Sequence, residues 1–485
     1  MNKKVWLLAF AFILLVQLVL RFPFVHVPLE RDEGGYSYMA QSWLAGDIPY
    51  RDAFDHKPPL IYAIYAVMVK SFGHSIEAIR WPATIFSLLT TGVFAGIAVA
   101  WLGIPFGLAA TLLYAIFSGT PVITGSAANS EVFMVLPLLL ALWLFLKTEE
   151  RKNLKTFFLI GLLSGIAVMI KQVALFNFLV FFIFLIRRDN RRWRFDWSAA
   201  GWLILGFVVV PMIFIIYFWR VGALLDMWCD VVVINRQYLA NVPGSCWQKA
   251  LYGFSVVGFI ARNENFLIWV LGLSGLAVIV FQQPKRKSLL IVAWTLASLV
   301  GAAWSGLFFG HYFIPVIPGL CLLTAYAWRV VQNQKSFWSR SLIWIISLIL
   351  LLVVIPFQWP FYLKYSPEEI STCQYGTPSF ALSWHVSKYL QAVMKPGDSL
   401  LVWSAQPELY FYLNKKSPTR YYNYLGWMAS PTAKKEVSAA ILAARPNYIV
   451  WTHYAIPHED IVRLVKQDYQ MINQMGNWLI FKRKG

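Results

Sequence analysis

Runs of apolar residues separated by short polar segments recur along the first 360 residues of the chain. Most of the runs hold about 16 to 20 residues, enough for a helix to cross about 30 Å of hydrocarbon. They lack the period-2 alternation of membrane β-barrel strands, and backbone groups in lipid must be satisfied within the protein, so helices are predicted. Eleven spans are predicted, at residues 5–20, 82–100, 105–124, 132–146, 157–170, 172–186, 198–218, 266–281, 289–305, 312–328 and 341–359.

About 11 to 13 spans are predicted in all, and two stretches allow a second interpretation. Residues 60–69 are too short to cross a membrane and favour an interfacial helix on its outer face. Residues 157–186 allow one long helix, or two short ones with Lys171 at an outer turn. Two helices are preferred, because they keep the basic segments at 147–155 and 187–194 on one side of the membrane.

The basic residues indicate how the chain is oriented. The net charge is +19, and many Lys and Arg residues cluster in short segments between apolar runs. This arrangement is typical of cytoplasmic loops that face anionic lipid, so no nucleic acid partner is predicted. The N-terminal run lacks a small-residue cleavage site and is predicted to stay as a first helix that starts in the cytoplasm. Residues 21–81 then form a first outer loop of a multi-pass cell (inner or plasma) membrane protein.

The composition changes after residue 360. Helix-like stretches at 379–394 and 433–444 alternate with strand-like stretches at 399–403, 447–451 and 478–482. The pattern predicts a polytopic all-α membrane domain at 1–360 and a small extracytoplasmic α/β domain at 361–485.

Two smaller features give local predictions. Gly92 with Gly96 and Gly161 with Gly165 have the small-xxx-small spacing that lets membrane helices approach closely. Two cysteines, Cys229 and Cys246, fall in one predicted outer loop at 219–265, where a disulfide between them is a hypothesis.

Ionisable residues at the membrane boundary are costly, which makes them candidates for function. The predicted topology gathers such a set on the outer side: Asp32, Glu33, His56, Lys57, Glu131, Lys171, Arg236, Tyr238, His311 and Tyr312. A carboxylate can accept a proton from an acceptor hydroxyl, and a second one can orient the acceptor or hold a divalent cation. Lys, Arg and Tyr supply charge and donors for a leaving phosphate. The set therefore predicts group transfer from a lipid phosphate.

The first outer loop carries the sequence motifs Asp-Glu-Gly-x-Tyr from Asp32, Gly-Asp-x-Pro-Tyr from Gly46 and Lys-Pro-Pro-Leu from Lys57. Together with Glu131, the Gly165–Lys171 helix end and the His311–Pro318 run, these motifs resemble lipid-linked-sugar glycosyltransferases of the GT-C fold. Within that fold, the resemblance is to the aminoarabinose transferase and protein O-mannosyltransferase group, many of whose bacterial members also have a C-terminal extracytoplasmic α/β domain.

The resemblance implies a polyprenyl-phosphate sugar donor and inversion at the anomeric carbon. Asp32 would be the general base, with Glu33 and Glu131 as further acids. The donor phosphate would be contacted by Lys57, Lys171, His311, Tyr312 and Arg236. The chain departs from aminoarabinose transferases at His56, where they have Glu, and at Glu131, where they have Asp. These departures leave open which sugar is transferred, which acceptor receives it, and whether Asp32, Glu131 and His56 hold a metal. The acceptor could be a lipid, glycan or protein hydroxyl.

Two other functions compete with this one. A lipid or polysaccharide transporter would need ionisable residues along a path within the spans, whereas here most of them lie at the predicted outer ends. A scaffold would make the acids of the first loop incidental. No phosphate-binding glycine loop, Gly-x-Ser-x-Gly elbow or metal-spaced Cys/His cluster is present in the sequence, so nucleotide-driven and serine-hydrolase chemistry have little support.

Overall fold

The structure is a computed structural model of the 485-residue chain. It describes residues 3–148, 153–189, 192–240, 244–263, 265–282, 285–333, 341, 358–403, 405–425, 430–452 and 458–484. The chain forms two compact units. The first, here the membrane unit, comprises residues 1–25, 80–214 and 242–365; the second, here the loop unit, comprises residues 26–79, 215–241 and 366–485.

Apolar helices make up nearly all of the membrane unit. Across the described residues, six are long and apolar enough to cross a membrane: Lys4–His26, Ile76–Leu102, Ser130–Thr148, Trp197–Arg220, Arg286–Ala303 and Gly310–Gln332. Shorter apolar helices occupy Ile104–Phe117, Leu154–Ile170, Gln172–Ile183 and Phe266–Phe281. The protein is therefore a multi-pass membrane protein, as the hydrophobic pattern predicts.

The regular α-helices of this unit follow the predicted spans closely. They are α1 (Lys3–Arg21), α4 (Ile76–Leu102), α5 (Ile104–Phe117), α6 (Ser130–Thr148), α7 (Leu154–Ile170), α8 (Leu175–Ile183), α9 (Trp197–Arg220), α13 (Phe266–Phe281), α14 (Arg286–Ala303) and α15 (Ile317–Gln332). Lys171 is extended, at φ −153° and ψ 127°, and separates α7 from α8. The prediction of two helices is thus confirmed, and the single long helix is wrong. Apart from residues 341, 358 and 359, the predicted span 341–359 lies outside the described residues.

Two predicted span ends and one predicted loop differ from the structure. Helix α5 ends at Phe117 and not at 124, because the chain ahead of Pro121 is extended at Thr120, with φ −65° and ψ 147°. Ile186 belongs to a strand, since the basic segment folds into an antiparallel hairpin of β1 (Ile186–Asp189) and β2 (Arg192–Phe195). The predicted loop 219–265 contains the helix α12 (Cys246–Arg262), which a Ser245–Gln248 capping box begins.

Close approach of α7 and α9 confirms one of the two glycine predictions. A Cβ atom at Gly161 would lie 2.0 Å from the Leu203 carbonyl oxygen, and one at Gly165 would lie 2.6 Å from the Phe207 carbonyl oxygen. A Cβ atom at Gly206 of α9 would likewise lie 2.0 Å from the Phe158 carbonyl oxygen. Only glycine lets the two backbones come this near, as the small-xxx-small spacing predicts.

A four-stranded sheet organises the C-terminal part of the loop unit. Its order is β3 (Leu400–Trp403), β4 (Tyr448–Trp451), β6 (Trp478–Arg483) and β5 (Tyr469–Met475), with β3 and β4 parallel and the other pairs antiparallel. The crossover between the parallel strands includes α19 (Pro431–Ala444), as parallel pairing requires a long connection. The remaining helices are α16 (Pro367–Tyr375), α17 (Ser379–Val393), α18 (Glu408–Tyr412) and α20 (Glu459–Asp468). The three predicted strands and two predicted helices are confirmed.

The first loop is packed into the same unit. It forms α2 (Arg31–Leu44) and α3 (Leu60–Phe72), and residues 215–241 add α10 (Leu224–Trp228), a π-helical turn (Cys229–Ile234) and α11 (Asn235–Ala240). Phe54, between α2 and α3, is 4% exposed and belongs to the hydrophobic core of the sheet with Trp403 and Ile449. The loop is therefore a packed part of the C-terminal fold, and the predicted boundary at residue 360 stays a prediction.

Candidate functional site

The start of α2 is fixed by two glutamates. The Glu30 carboxylate accepts the Glu33 N–H at 3.2 Å, and the Glu33 carboxylate accepts the Glu30 N–H at 3.1 Å. This reciprocal capping box satisfies two backbone donors that a helix start would otherwise leave unpaired. The Glu33 side chain is fully buried, so the structure gives it a role in shaping the helix. A catalytic role for Glu33 stays a prediction.

Asp32 lies between the two glutamates in the sequence, is not the cap, and has a partly exposed side chain. Its Oδ2 atom accepts the Tyr36 hydroxyl at 3.2 Å and lies 3.6 Å from Lys57 Nζ. The Asp32 side chain is 32% exposed and that of Lys57 is 13% exposed. Lys57 Nζ also lies 5.5 Å from the centre of the Tyr36 ring. A reachable carboxylate beside a largely buried ammonium can accept a proton while the ammonium holds an anion.

The backbone of Lys57 is held by two buried tyrosines. The Tyr50 hydroxyl donates to the Lys57 carbonyl at 2.9 Å, and the Lys57 N–H donates to the Tyr62 hydroxyl oxygen at 3.3 Å. Tyr50 has a φ of 71°, a strained conformation for a residue with a side chain. Such strain persists where the surroundings fix it, often at functional sites. Tyr50 ends the Gly-Asp-x-Pro-Tyr motif of the first loop, and the sequence alone gives it no role.

The residues before Lys57 contact the C-terminal part of the unit. The Asp55 carboxylate accepts the Tyr422 hydroxyl at 3.2 Å and the His56 N–H at 2.6 Å. The His56 ring lies beside it, with Nδ1 3.4 Å from Asp55 Oδ1, and the His56 carbonyl accepts the Asn235 amide at 2.5 Å. Asp55 and Tyr422 were not predicted as site residues, because their contact joins positions 367 apart in the sequence.

The segment 215–241 contributes a buried acid that sequence reasoning missed. Asp230 is 3% exposed and lies on the π-helical turn, a distortion often found at functional sites. Burial raises the pKa of Asp230 to about 8, so its carboxyl keeps a proton at neutral pH. The predicted phosphate contact Arg236 lies on α11 with an exposed side chain, and the Tyr238 side chain lies outside the described residues.

A second cluster lies in the membrane unit. The Lys171 ammonium, just past the end of α7, donates to the carboxylate of Glu131 in the first turn of α6. Both side chains are buried, at 9% and 1% exposure. Lys171 Nζ also lies 4.0 Å from the centre of the Tyr312 ring, and the His311 and Tyr312 rings are 4.8 Å apart edge to face. Four predicted site residues thus meet here, although 181 positions separate Glu131 from Tyr312 in the sequence.

Two buried arginines hold the loop that leads to Glu131. Arg21, at the end of α1, donates from Nη1 to the Gly125 carbonyl at 2.8 Å. Arg80, on α4, donates to the Ser126 carbonyl at 3.2 Å. Both side chains are at most 4% exposed. Backbone carbonyls of a buried loop need donors, and these two guanidinium groups supply them. Their apolar surroundings in the sequence gave no sign of this role.

The described residues hold no ready-made metal cluster. Within those ranges, no three His, Cys, Asp or Glu side chains come together in a way that could hold a metal ion. A metal held by Asp32, Glu131 and His56 stays a prediction. Cys229 is a free, exposed cysteine. The side chain of Cys246 lies outside the described residues, so the disulfide between the two stays a hypothesis.

Comparisons with known proteins agree with this architecture. Residues 56–219 match the model of the dolichyl-phosphate-mannose-protein mannosyltransferase family. A search of curated proteins finds no match. The fold is similar to that of ArnT from Cupriavidus metallidurans bound to undecaprenyl phosphate, with a TM-score of 0.68 at 16% identity, over 99% of this chain and 98% of that one.

An archaeal enzyme shares the fold as well. The oligosaccharyltransferase of Archaeoglobus fulgidus superposes with a TM-score of 0.53 at 12% identity, over 97% of this chain and 72% of that one. A structure of the oligosaccharyltransferase AglB from the same organism, in complex with an inhibitory peptide and a dolichol-phosphate, matches with a TM-score of 0.53 at 12% identity, over 92% of this chain and 69% of that one. The chain therefore has the GT-C fold of lipid-linked-sugar glycosyltransferases.

Proposed function

We propose that the protein is an integral membrane glycosyltransferase, which moves a sugar from a polyprenyl-phosphate donor to a hydroxyl of an extracytoplasmic acceptor. The observation that carries the proposal is the Asp32–Lys57 pair, in which a partly exposed carboxylate lies 3.6 Å from an ammonium. The match of residues 56–219 to a mannosyltransferase family supports the same reaction class. Support for a lipid phosphate comes from two proteins of this fold that have been seen with undecaprenyl phosphate or dolichol-phosphate.

The proposed mechanism is a single displacement. Asp32 takes the proton of the acceptor hydroxyl, and the resulting oxygen nucleophile attacks the anomeric carbon of the donor. The bond from that carbon to the phosphate oxygen breaks, and polyprenyl phosphate leaves with the bonding electron pair. Attack opposite the leaving group inverts the anomeric configuration.

Cationic and hydroxyl groups would stabilise the charge that grows on the leaving phosphate. Lys57, whose ammonium lies 3.6 Å from Asp32, would supply such a charge, and the Tyr36 hydroxyl would keep the carboxylate oriented. We further propose that Lys171, His311, Tyr312 and Arg236 contact the donor phosphate. Glu131 would be the second acid, and its carboxylate accepts a hydrogen bond from the Lys171 ammonium within a buried cluster.

The test uses purified full-length protein in vesicles with a panel of polyprenyl-phosphate sugars, each carrying a labelled sugar of known anomeric configuration. Candidate acceptors are a glycolipid, an envelope polysaccharide and a serine-containing peptide. We expect labelled product from at least one pair, with the opposite anomeric configuration by NMR. A product that retains the donor configuration would contradict the single displacement. Movement of labelled lipid between leaflets without any transfer would favour the transporter alternative.

A further inference from the structure

Helix α2 carries Asp32 and is attached to the C-terminal segment 405–422. Arg31 Nε donates to the Ala405 carbonyl at 3.0 Å, and the Gln41 amide donates to the Lys415 carbonyl at 3.1 Å. The Ser417 N–H donates to the Tyr38 hydroxyl oxygen at 3.0 Å. These contacts lie along both ends and the middle of α2, so its position depends on the segment 405–422.

The part of the loop that carries Lys57 is attached to the same segment. The Phe54 N–H donates to the Arg420 carbonyl at 2.9 Å, and Arg420 Nη1 donates to the Tyr50 carbonyl at 3.1 Å. Phe54 is also buried in the core of the C-terminal sheet. The two halves of the Asp32–Lys57 pair are therefore held from one side by neighbouring residues of one segment.

Tyr422 contacts both halves at once. Its hydroxyl lies 3.2 Å from Asp55 Oδ2 and 3.3 Å from the Gly35 carbonyl oxygen. Gly35 follows Asp32 by three residues, less than one helical turn, and Asp55 precedes Lys57 by two. The Tyr422 ring is 1% exposed and packs on the Tyr38 ring with 4.3 Å between the centres. Because the ring is buried and packed, the single hydroxyl hydrogen of Tyr422 is shared between these two acceptors from one place.

We infer that Tyr422 is a positioning residue, which sets the distance between Asp32 and Lys57 by holding Gly35 and Asp55 together. The inference rests on the proposed function, in which Asp32 accepts the proton and Lys57 holds the phosphate. It extends that function to the C-terminal segment, which touches no reacting atom and acts through Asp55 and the α2 backbone. Small displacements of reacting groups cost large factors in rate, so loosening this link lowers turnover.

The test compares Tyr422→Phe with Tyr410→Phe in the full-length protein. Tyr422→Phe keeps the ring on Tyr38 and removes only the hydroxyl. Tyr410 is an equally buried tyrosine that also packs on Tyr38, at 5.3 Å, but its hydroxyl oxygen accepts the Val402 N–H on β3. Both variants lose a buried hydroxyl, whereas only Tyr422→Phe loses the contact with Asp55.

Two measurements are made on each variant. For Tyr422→Phe, we expect kcat per folded molecule to fall roughly tenfold or more, with the donor KM within about twofold. Hydrogen exchange should rise in peptides covering residues 31–40 and 50–57. For Tyr410→Phe, we expect wild-type kcat and wild-type exchange in both peptides. The single variant Asp55→Ala and the double variant Tyr422→Phe/Asp55→Ala are measured as well. The kcat of the double variant should be no lower than that of the less active of its two single variants, because the two residues act through one contact.

The outcomes separate this inference from the proposed function. Unchanged exchange in both peptides of Tyr422→Phe would overturn the link, whatever the activity. Raised exchange with wild-type kcat would overturn the positioning role. A wild-type protein that transfers no sugar, while Tyr422→Phe still raises exchange in both peptides, would overturn the proposed function and leave the link between the two segments standing.

Discussion

Gly34 lies against the backbone of Glu408, on α18, with no room for a side chain between them. A Cβ atom built at Gly34 would lie 2.7 Å from both Cβ and the backbone nitrogen of Glu408, closer than real Cβ atoms come. The neighbouring Gly35 is different, because the atom nearest to a Cβ there is the Tyr422 hydroxyl oxygen at 3.7 Å. The glycine that follows Asp32-Glu33 is thus needed for packing α2 on the C-terminal fold.

Alanine should be harmful at Gly34 and tolerated at Gly35. In Gly34→Ala, α2 must shift away from α18, which moves Asp32 and costs about 1 to 3 kcal/mol or more of stability through overpacking. Transfer activity should fall at least tenfold with it. Gly35→Ala should retain near wild-type stability and activity, since 3.7 Å is an ordinary contact. Thermal unfolding and transfer assays of both variants check this; equal behaviour of the two would show that the Glu408 contact does not matter.

Much of the fold could be predicted, because membrane burial imposes one physical rule over long stretches. Lys171 illustrates this: charge placement alone indicated that the chain reverses there, and α7 does end at Ile170. The prediction was weaker where hydrophobicity is mixed. Helix α12 fell within a predicted loop, because its aromatic and polar residues alternate without a long apolar run.

The residue types of the candidate site could be predicted from the sequence. The residues that hold them in position could not. Carboxylates and lysines beside membrane spans are unusual enough to stand out, and Glu131, Lys171 and Tyr312 do meet. Tyr422 and Asp230 gave no such signal, because a buried hydroxyl or acid in a polar loop looks ordinary until its partners are known. Tertiary contacts over several hundred positions decide those roles.

Replacing the proposed base should abolish most transfer. In Asp32→Asn, the amide cannot accept the acceptor's proton, so kcat should fall by roughly 10² to 10⁴ with normal folding. Asp47→Asn is the matched control, because Asp47 also belongs to the first loop and pairs with a lysine, Lys416, at 2.6 Å. That variant should keep at least half of the activity. Rates measured with saturating donor check this, and equal rates in wild type and Asp32→Asn would remove Asp32 as the base.

Removing the ammonium beside Asp32 should weaken use of the donor more than use of the acceptor. For Lys57→Ala, we expect the donor KM to rise roughly tenfold or more and the acceptor KM to change little, because Lys57 is proposed to hold the phosphate. Lys416→Ala, which breaks an exposed pair in the same unit, should leave both constants near wild type. Steady-state kinetics with each substrate varied in turn decide the matter. A change confined to the acceptor KM would contradict the phosphate assignment.

The buried pair of Glu131 and Lys171 should behave as one unit in stability. Lys171→Met leaves a buried carboxylate without its ammonium and should lower the free energy of unfolding by about 3 to 5 kcal/mol. The double variant Lys171→Met/Glu131→Gln should lose less than the sum of the two single variants, since no unpaired charge remains. Lys416→Met, at an exposed pair, should stay within about 1 kcal/mol of wild type. Unfolding of detergent-solubilised protein checks this, and strictly additive losses would show that the pair is not coupled.

The stability of the loop unit should decrease at alkaline pH because of Glu408. Its side chain is fully buried, and burial raises the pKa of its carboxyl from 4.5 to about 8. Between these pH values the folded chain holds a proton that the unfolded chain has lost, so raising the pH favours unfolding. The stabilisation is complete below about pH 4.5 and is lost as the pH passes 8.

Glu408→Gln removes this titration, so the variant should be more stable than wild type at pH 8.5 and should show a flatter profile. Glu459→Gln, at an exposed carboxylate of the same unit, should keep the wild-type slope. Melting temperatures from pH 5 to pH 9 check the prediction, and parallel profiles for wild type and Glu408→Gln would show that Glu408 does not titrate in this range.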